Sequence, residues 1–189
     1  MIELKDVPFN MNYTILDNLR DEPVDFAEMQ QGILFLIKDL ETITSPVEKA
    51  IAQSRIGVFQ RMCWQLDKAE ASLKEAFEVL RENRYMPGVV NTGIRLAHVY
   101  HWNEEYAKAE ELFTKCLDIC RKSNDNNVKK YESFCLQHLG KCRFDQAMFN
   151  DALNFFLGAL DLRLFEGNLD LINSTRHAIA IAKEKADNV

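Results

Sequence analysis

Three times along this chain, a large–small pair is followed twelve positions later by a small residue that opens an apolar stripe. The pairs are Ile56-Gly57, Leu96-Ala97 and Leu139-Gly140, and the openers are Ala69, Ala109 and Ala152. Four positions after each opener stands Leu73, Phe113 or Phe156, and three further on Ala76, Cys116 or Ala159. Spacings of three and four put these residues on one face of a helix. A recurring unit with one apolar face cannot bury that face alone, so successive units must stack.

The pattern predicts helices almost from end to end. Ser45-Pro46-Val47-Glu48 has the layout of a capping box, with proline at the first helical position. The repeats are expected over about 45–84, 87–122 and 126–165. Pro87-Gly88 would break the chain before the second, and the Asn124–Asn127 run would link the second to the third. Met29, Ile33 and Leu36 repeat the helical spacing, so a capping helix is expected over 25–42. A second capping helix is expected over 168–186, after the Gly167-Asn168 stop, with Ile172, Ile179 and Ala182 inward. Residues 1–23 show no period and are left as an undefined N-terminal arm; 24–189 are expected to form a single helical domain. Small residues recur because two antiparallel helices approach closely only where a side chain near their crossing is small.

A net charge of −6 lacks the basic footprint of a general nucleic-acid binder. The longest apolar run, Ile33 to Ile37, falls far short of a membrane span, and Met1–Asp6 lacks the apolar core of a signal peptide. Five cysteines in such a chain read as reduced thiols, and the expected compartment is the cytoplasm.

The repeat resembles the tetratricopeptide repeat, in which a large–small pair precedes an aromatic residue and Ala and Phe open the second helix. The middle unit matches best, with Leu96-Ala97, Tyr100, Tyr106, Ala109 and Phe113. The third keeps Leu136, Leu139-Gly140, Phe149, Ala152 and Phe156 but has Arg143 for the aromatic. The first has Gln53, Gln60 and Leu73 where the family prefers Trp, an aromatic and Phe. The small residues of successive pairs stand 40 and 43 positions apart, against about 34 in the usual repeat. That length is similar to the repeats of kinesin light chains and of cytoplasmic peptide-sensing regulators of Gram-positive bacteria. The resemblance implies an all-α, right-handed α-solenoid of antiparallel helix pairs. It also implies a non-catalytic scaffold that binds a protein or peptide partner in a concave groove, without a cofactor.

Carried onto this chain, the groove would draw on Arg55, Arg61, Asn91, Arg95, His98, His101, Trp102, Gln137, His138 and Lys141. Arg55, Arg95 and His138 precede the Ile56, Leu96 and Leu139 of successive units, a ladder of donors suited to the carboxylates of an acidic partner. The Lys/Asn/Arg clamp by which some members hold chaperone C-termini is not reproduced, since Ser54, Val58, Arg95, Phe134 and His138 occupy its places. One alternative is a peptide-sensing regulatory module on the same fold. Another is a helical metal protein using His98, His101 and His138, three ligands being enough for an open metal site. Cys116, Cys120, Cys135 and Cys142 read as core residues, Cys116 filling a small-residue slot. No phosphate loop, nucleophile elbow or paired catalytic carboxylates appear. Self-association into a homodimer through the Gly32–Ile37 stripe is a further expectation.

Overall fold

Asp25 accepts the Glu28 backbone N–H and opens α1 (Phe26–Asp39). Ser45 accepts that of Glu48 and opens α2 (Pro46–Met62), with Pro46 in its first turn. Each cap satisfies an N–H that the helix itself leaves without a partner. In the computed structural model, which describes residues 1–188, α3 (Leu66–Glu82), α4 (Met86–Trp102) and α5 (Tyr106–Lys122) follow. After them come the single-turn α6 (Asn126–Lys129), α7 (Glu132–Asp145), α8 (Phe149–Glu166) and α9 (Leu169–Asp187). The chain is all-α in class, apart from one short hairpin near its start.

Two of these boundaries differ from the sequence expectation. Pro87 lies in the first turn of α4 rather than breaking the chain, because a first turn has no use for the missing N–H. The first helix of the repeat expected over 126–165 is divided: Asp125 caps α6 at Asn127, and the Tyr131 N–H then bonds to Val128 at 3.1 Å. This three-residue bond tightens the backbone before α7 begins. Gly167, at φ 76°, ends α8 as expected, and Asn168 caps α9 by accepting the Leu171 N–H.

The chain forms two compact units, Met1–Glu104 and Glu105 onward. In the first, α2 packs against α3 and α3 against α4, with α1 against α2. Val7, Met29, Ile33, Leu36, Ile56, Phe59 and Met62 form one apolar cluster there, and Ala50, Ala76, Leu80 and Val89 another. In the second, α7 packs against α5 and α8, and α8 against α9, burying Phe113, Cys116, Cys120, Cys135, Phe156 and Ala159.

The large–small pair works as the spacing predicts. A Cβ on Gly57 would lie 2.6 Å from Leu73 Cγ, and one on Gly140 would lie 2.4 Å from the Phe156 ring. The small residue of the first helix thus receives the large residue that stands four positions after the opener of the second.

The turns after α2, α3, α4 and α7 share one geometry. Trp64, Arg84, Glu104 and Ala147 all adopt the left-handed conformation, with φ from 55° to 61°. After α2, the Trp64 N–H bonds to Arg61 and the Gln65 N–H to Gln60, each at 2.9 Å. After α7, Ala147 and Met148 bond in the same way to Phe144 and Arg143. This is the Schellman arrangement, which satisfies the last carbonyls of a helix.

Residues 1–23 fold in three short parts. A single helical turn covers Leu4–Asp6, and β1 (Tyr13–Ile15) pairs antiparallel with β2 (Asp21–Pro23). The hairpin tip is closed by the Leu16 N–H to the Arg20 carbonyl at 2.9 Å. Val7 and Leu19 are buried, and Met11 lies over Gly32, where the absent side chain leaves room for it.

Candidate functional site: the inner face of the first unit

Arg55 and Arg61 lie on α2, and Asn91, Arg95, His98, His101 and Trp102 on α4. The two helices touch directly. The N-terminal arm lies against the same residues. The Arg55 Nη2 donates to the Ile2 carbonyl at 2.7 Å, while the Ile2 N–H donates to Asp39 at 3.0 Å. The Arg61 Nη2 meets the Asp21 carboxylate at 2.6 Å.

These contacts separate two regions. The first is a cleft of about 380 Å³ bounded by Leu4, Met11, Asn12 and Tyr13 of the arm and by residues of α2 and α4. Val58, Phe59 and Met62 supply its apolar wall, and Arg55 and Arg95 its charge; none of the lining side chains is acidic. Arg95 is oriented by Ser54, whose hydroxyl accepts from it at 3.0 Å and from Thr92 at 2.9 Å. The buried Nε of Arg55 meets no acceptor among the described residues. Burial lowers the Arg55 pKa, opposed by the charges of Glu3 and Asp39, and burial likewise raises that of the Tyr13 phenol.

The second region is a layered aromatic and cationic stack. Trp64 and Trp102 lie with ring centroids 5.0 Å apart. The Arg61 guanidinium rests 4.3 Å from the Trp102 centroid, and the Arg20 guanidinium 5.4 and 5.5 Å from the Trp64 and Trp102 rings. Trp102 also donates its indole N–H to His98 Nε2 at 3.1 Å, and His98 stacks on His101 at 5.5 Å. Arg61, His98, His101 and Trp102 are consequently buried, while Arg55, Asn91 and Arg95 are half-buried.

The remaining sequence-predicted residues lie on α7, in the second unit. Gln137 and Lys141 are buried, and Gln137 accepts from Arg163 at 3.2 Å. His138 stacks flat on Phe113 at 5.8 Å. The Arg55–Arg95 part of the donor ladder therefore shares one cleft, and His138 belongs to a different unit. The His98 lone pair at Nε2 is already engaged by Trp102, and no group of three or more His, Cys, Asp or Glu is placed to hold a metal among the described residues. No helix among them is long and apolar enough to cross a membrane.

Sequence reasoning missed the arm's part in this site. Leu4, Met11, Tyr13, Leu19, Arg20 and Asp21 lie in a stretch without periodicity, and the only local cue was the Asp17-Asn18 turn signal.

Comparison with known proteins follows the same lines. The tetratricopeptide repeat family profile matches residues 88–164. The apo form of RapI superposes with a TM-score of 0.67 at 17% identity, over 87% of this chain and 59% of that one. This chain thus spans about three-fifths of the RapI length. A Podosopora anserina kinesin light chain protein with nearly identical tetratricopeptide-like repeats superposes with a TM-score of 0.60 at 14% identity, over 86% of this chain and 81% of that one. A variant of that protein gives a TM-score of 0.61 at 14% identity, over 86% and 80%. At these identities the likeness is one of fold. No curated protein matches the chain. The helix pairs and the small-residue crossings build a tetratricopeptide-like repeat fold, which the family profile matches over residues 88–164, with repeats longer than the usual ones.

Proposed function

We propose that the protein is a non-catalytic peptide-binding module that holds an extended, acidic segment of a partner in the cleft between its N-terminal arm and α2 and α4. Tetratricopeptide repeats generally serve as protein-interaction scaffolds, and the fold alone goes no further than that. The observation that carries the finer reading is the pairing of two guanidiniums with an apolar wall and no lining carboxylate. Arg95 is oriented in advance by Ser54, and Arg55 keeps an unengaged Nε. Arginine offers a bidentate fork to a carboxylate, and the partial burial of Arg55 strengthens the interaction with an incoming charge. Val58, Phe59 and Met62 would take an apolar neighbour of the acidic residue.

The test is selection from a random peptide display library, followed by calorimetry on wild type and on Arg55→Ala/Arg95→Ala. Enrichment of acidic–apolar peptides whose affinity drops at least tenfold in the double variant is the expected result. Peptides that bind both proteins equally would overturn this assignment.

A further inference from the structure

The position of Trp64 poses a question that the helix turn does not answer. The corresponding turn positions after α4 and α7 hold Glu104 and Ala147 in the same left-handed conformation, so the turn does not require an aromatic residue. Yet Trp64 is 57% exposed, a large apolar side chain left partly in water. Its other surface faces Trp102 and Arg20. Trp102 in turn lies over Arg61, a buried cation that pairs with the Asp21 carboxylate of the arm. The hairpin tip thus presents three consecutive residues of distinct chemistry. Leu19 is 2% exposed, Arg20 faces the indole pair, and Asp21 neutralises Arg61. Leu19 is held there in the left-handed conformation, φ 61°, which a residue with a Cβ adopts only against steric resistance.

We propose that the Trp64–Trp102–Arg61 surface is a recognition site for an apolar–arginine–acidic triplet, and that the chain's own Leu19-Arg20-Asp21 occupies it as a ligand in cis. A partner segment carrying the same order of chemistry exchanges with the hairpin tip. Each component has its complement in place: an indole pair attracts a guanidinium over its faces, a buried guanidinium demands a carboxylate, and the leucine is withdrawn from water. A partner without the carboxylate would leave Arg61 uncompensated, and one without the arginine would leave the indoles unfilled. The site differs from the Arg55–Arg95 cleft, whose lining includes neither tryptophan, so either assignment can fail without the other.

The experiment uses the whole protein carrying Leu19→Ser/Arg20→Ala/Asp21→Ala and, as probe, a fluorescein-labelled peptide with the sequence of residues 13–23. Fluorescence anisotropy is expected to show the variant binding the peptide at least tenfold more tightly than wild type. Adding Trp64→Ala to the variant, or Arg20→Ala to the peptide, is expected to abolish that gain. A folded variant, judged by its helical circular dichroism, that ignores the peptide overturns the proposal. Should the triple variant not fold, Arg20→Ala alone decides the matter through its indole N–H signals in NMR. Shifts produced by the wild-type peptide and not by its Arg20→Ala form support the proposal, and unmoved indoles overturn it.

Discussion

The guanidinium of Arg61 lies 2.6 Å from the Asp21 carboxylate, joining the last turn of α2 to a hairpin 40 residues earlier in the chain. Both side chains are largely withdrawn from water, at 4% and 11% exposure. Removing one member of such a pair leaves a buried charge without compensation, whereas replacing both by apolar side chains costs less. Asp21→Ala is therefore expected to lower stability by about 2–3 kcal/mol, and Asp21→Ala/Arg61→Met by less. Urea unfolding of the full chain measures both, and a larger loss from the double variant would contradict the burial argument.

The Gly140–Phe156 contact sets a second expectation. A methyl group at position 140 would meet the aromatic ring at 2.4 Å, and the ring is itself completely buried. Gly140→Ala is expected to cost about 1–3 kcal/mol through overpacking. Phe156→Leu, added to it, should recover part of that loss, although Phe156→Leu alone destabilises. A double-mutant cycle by thermal or urea denaturation reads the coupling.

Ala147 pays for its left-handed turn without using its side chain for a buried contact, since the residue is exposed at φ 58°. Ala147→Gly is expected to raise stability by about 1 kcal/mol. Trp64→Gly in the equivalent turn should not, because it removes the contacts with Trp102 and Arg20. Comparing the two melting temperatures separates backbone relief from side-chain loss.

The thiols give the protein an alkaline limit. Burial pushes Cys63 up to about 11 and Cys116 and Cys142 up to about 12. Cys142 is raised further by the charge of Glu110. The folded chain thus keeps protons that the unfolded chain releases near pH 9. Their contribution is complete below that value and is lost as pH rises through 11 and 12. Urea midpoints should change little from these groups up to about pH 9 and fall above it. A thiol reagent at pH 8 should react with the native protein far more slowly than with the unfolded one.

The buried Arg163 shows where sequence patterning stopped. It faces Gln137, the Leu171 carbonyl and Thr175 at 3.2, 3.2 and 2.5 Å, with the Phe134 ring 5.3 Å away. Burial lowers its pKa to about 10, against the opposing charge of Glu166. A sequence stripe marks Ala152, Phe156 and Ala159 as inward and says nothing of an arginine four residues on. Its neutral acceptors come from α7 and α9, which only the packed fold brings to it.

The sequence by itself determined the helices and their starts at Asp25, Ser45 and Asn168, because helical periodicity and capping act over three or four residues. It determined the crossings at Gly57 and Gly140 as well, since small and large residues recur at fixed offsets. It also brought Arg55 and Arg95 forward as equivalent positions in successive units, and they line one cleft. The tertiary structure alone decided the placement of the arm, the burial of Arg61 and the occupation of the Trp64–Trp102 pair. The physical reason is range. Two three-residue strands carry too few positions for a period, and their partners on α2 and α4 become neighbours only after the helices have packed.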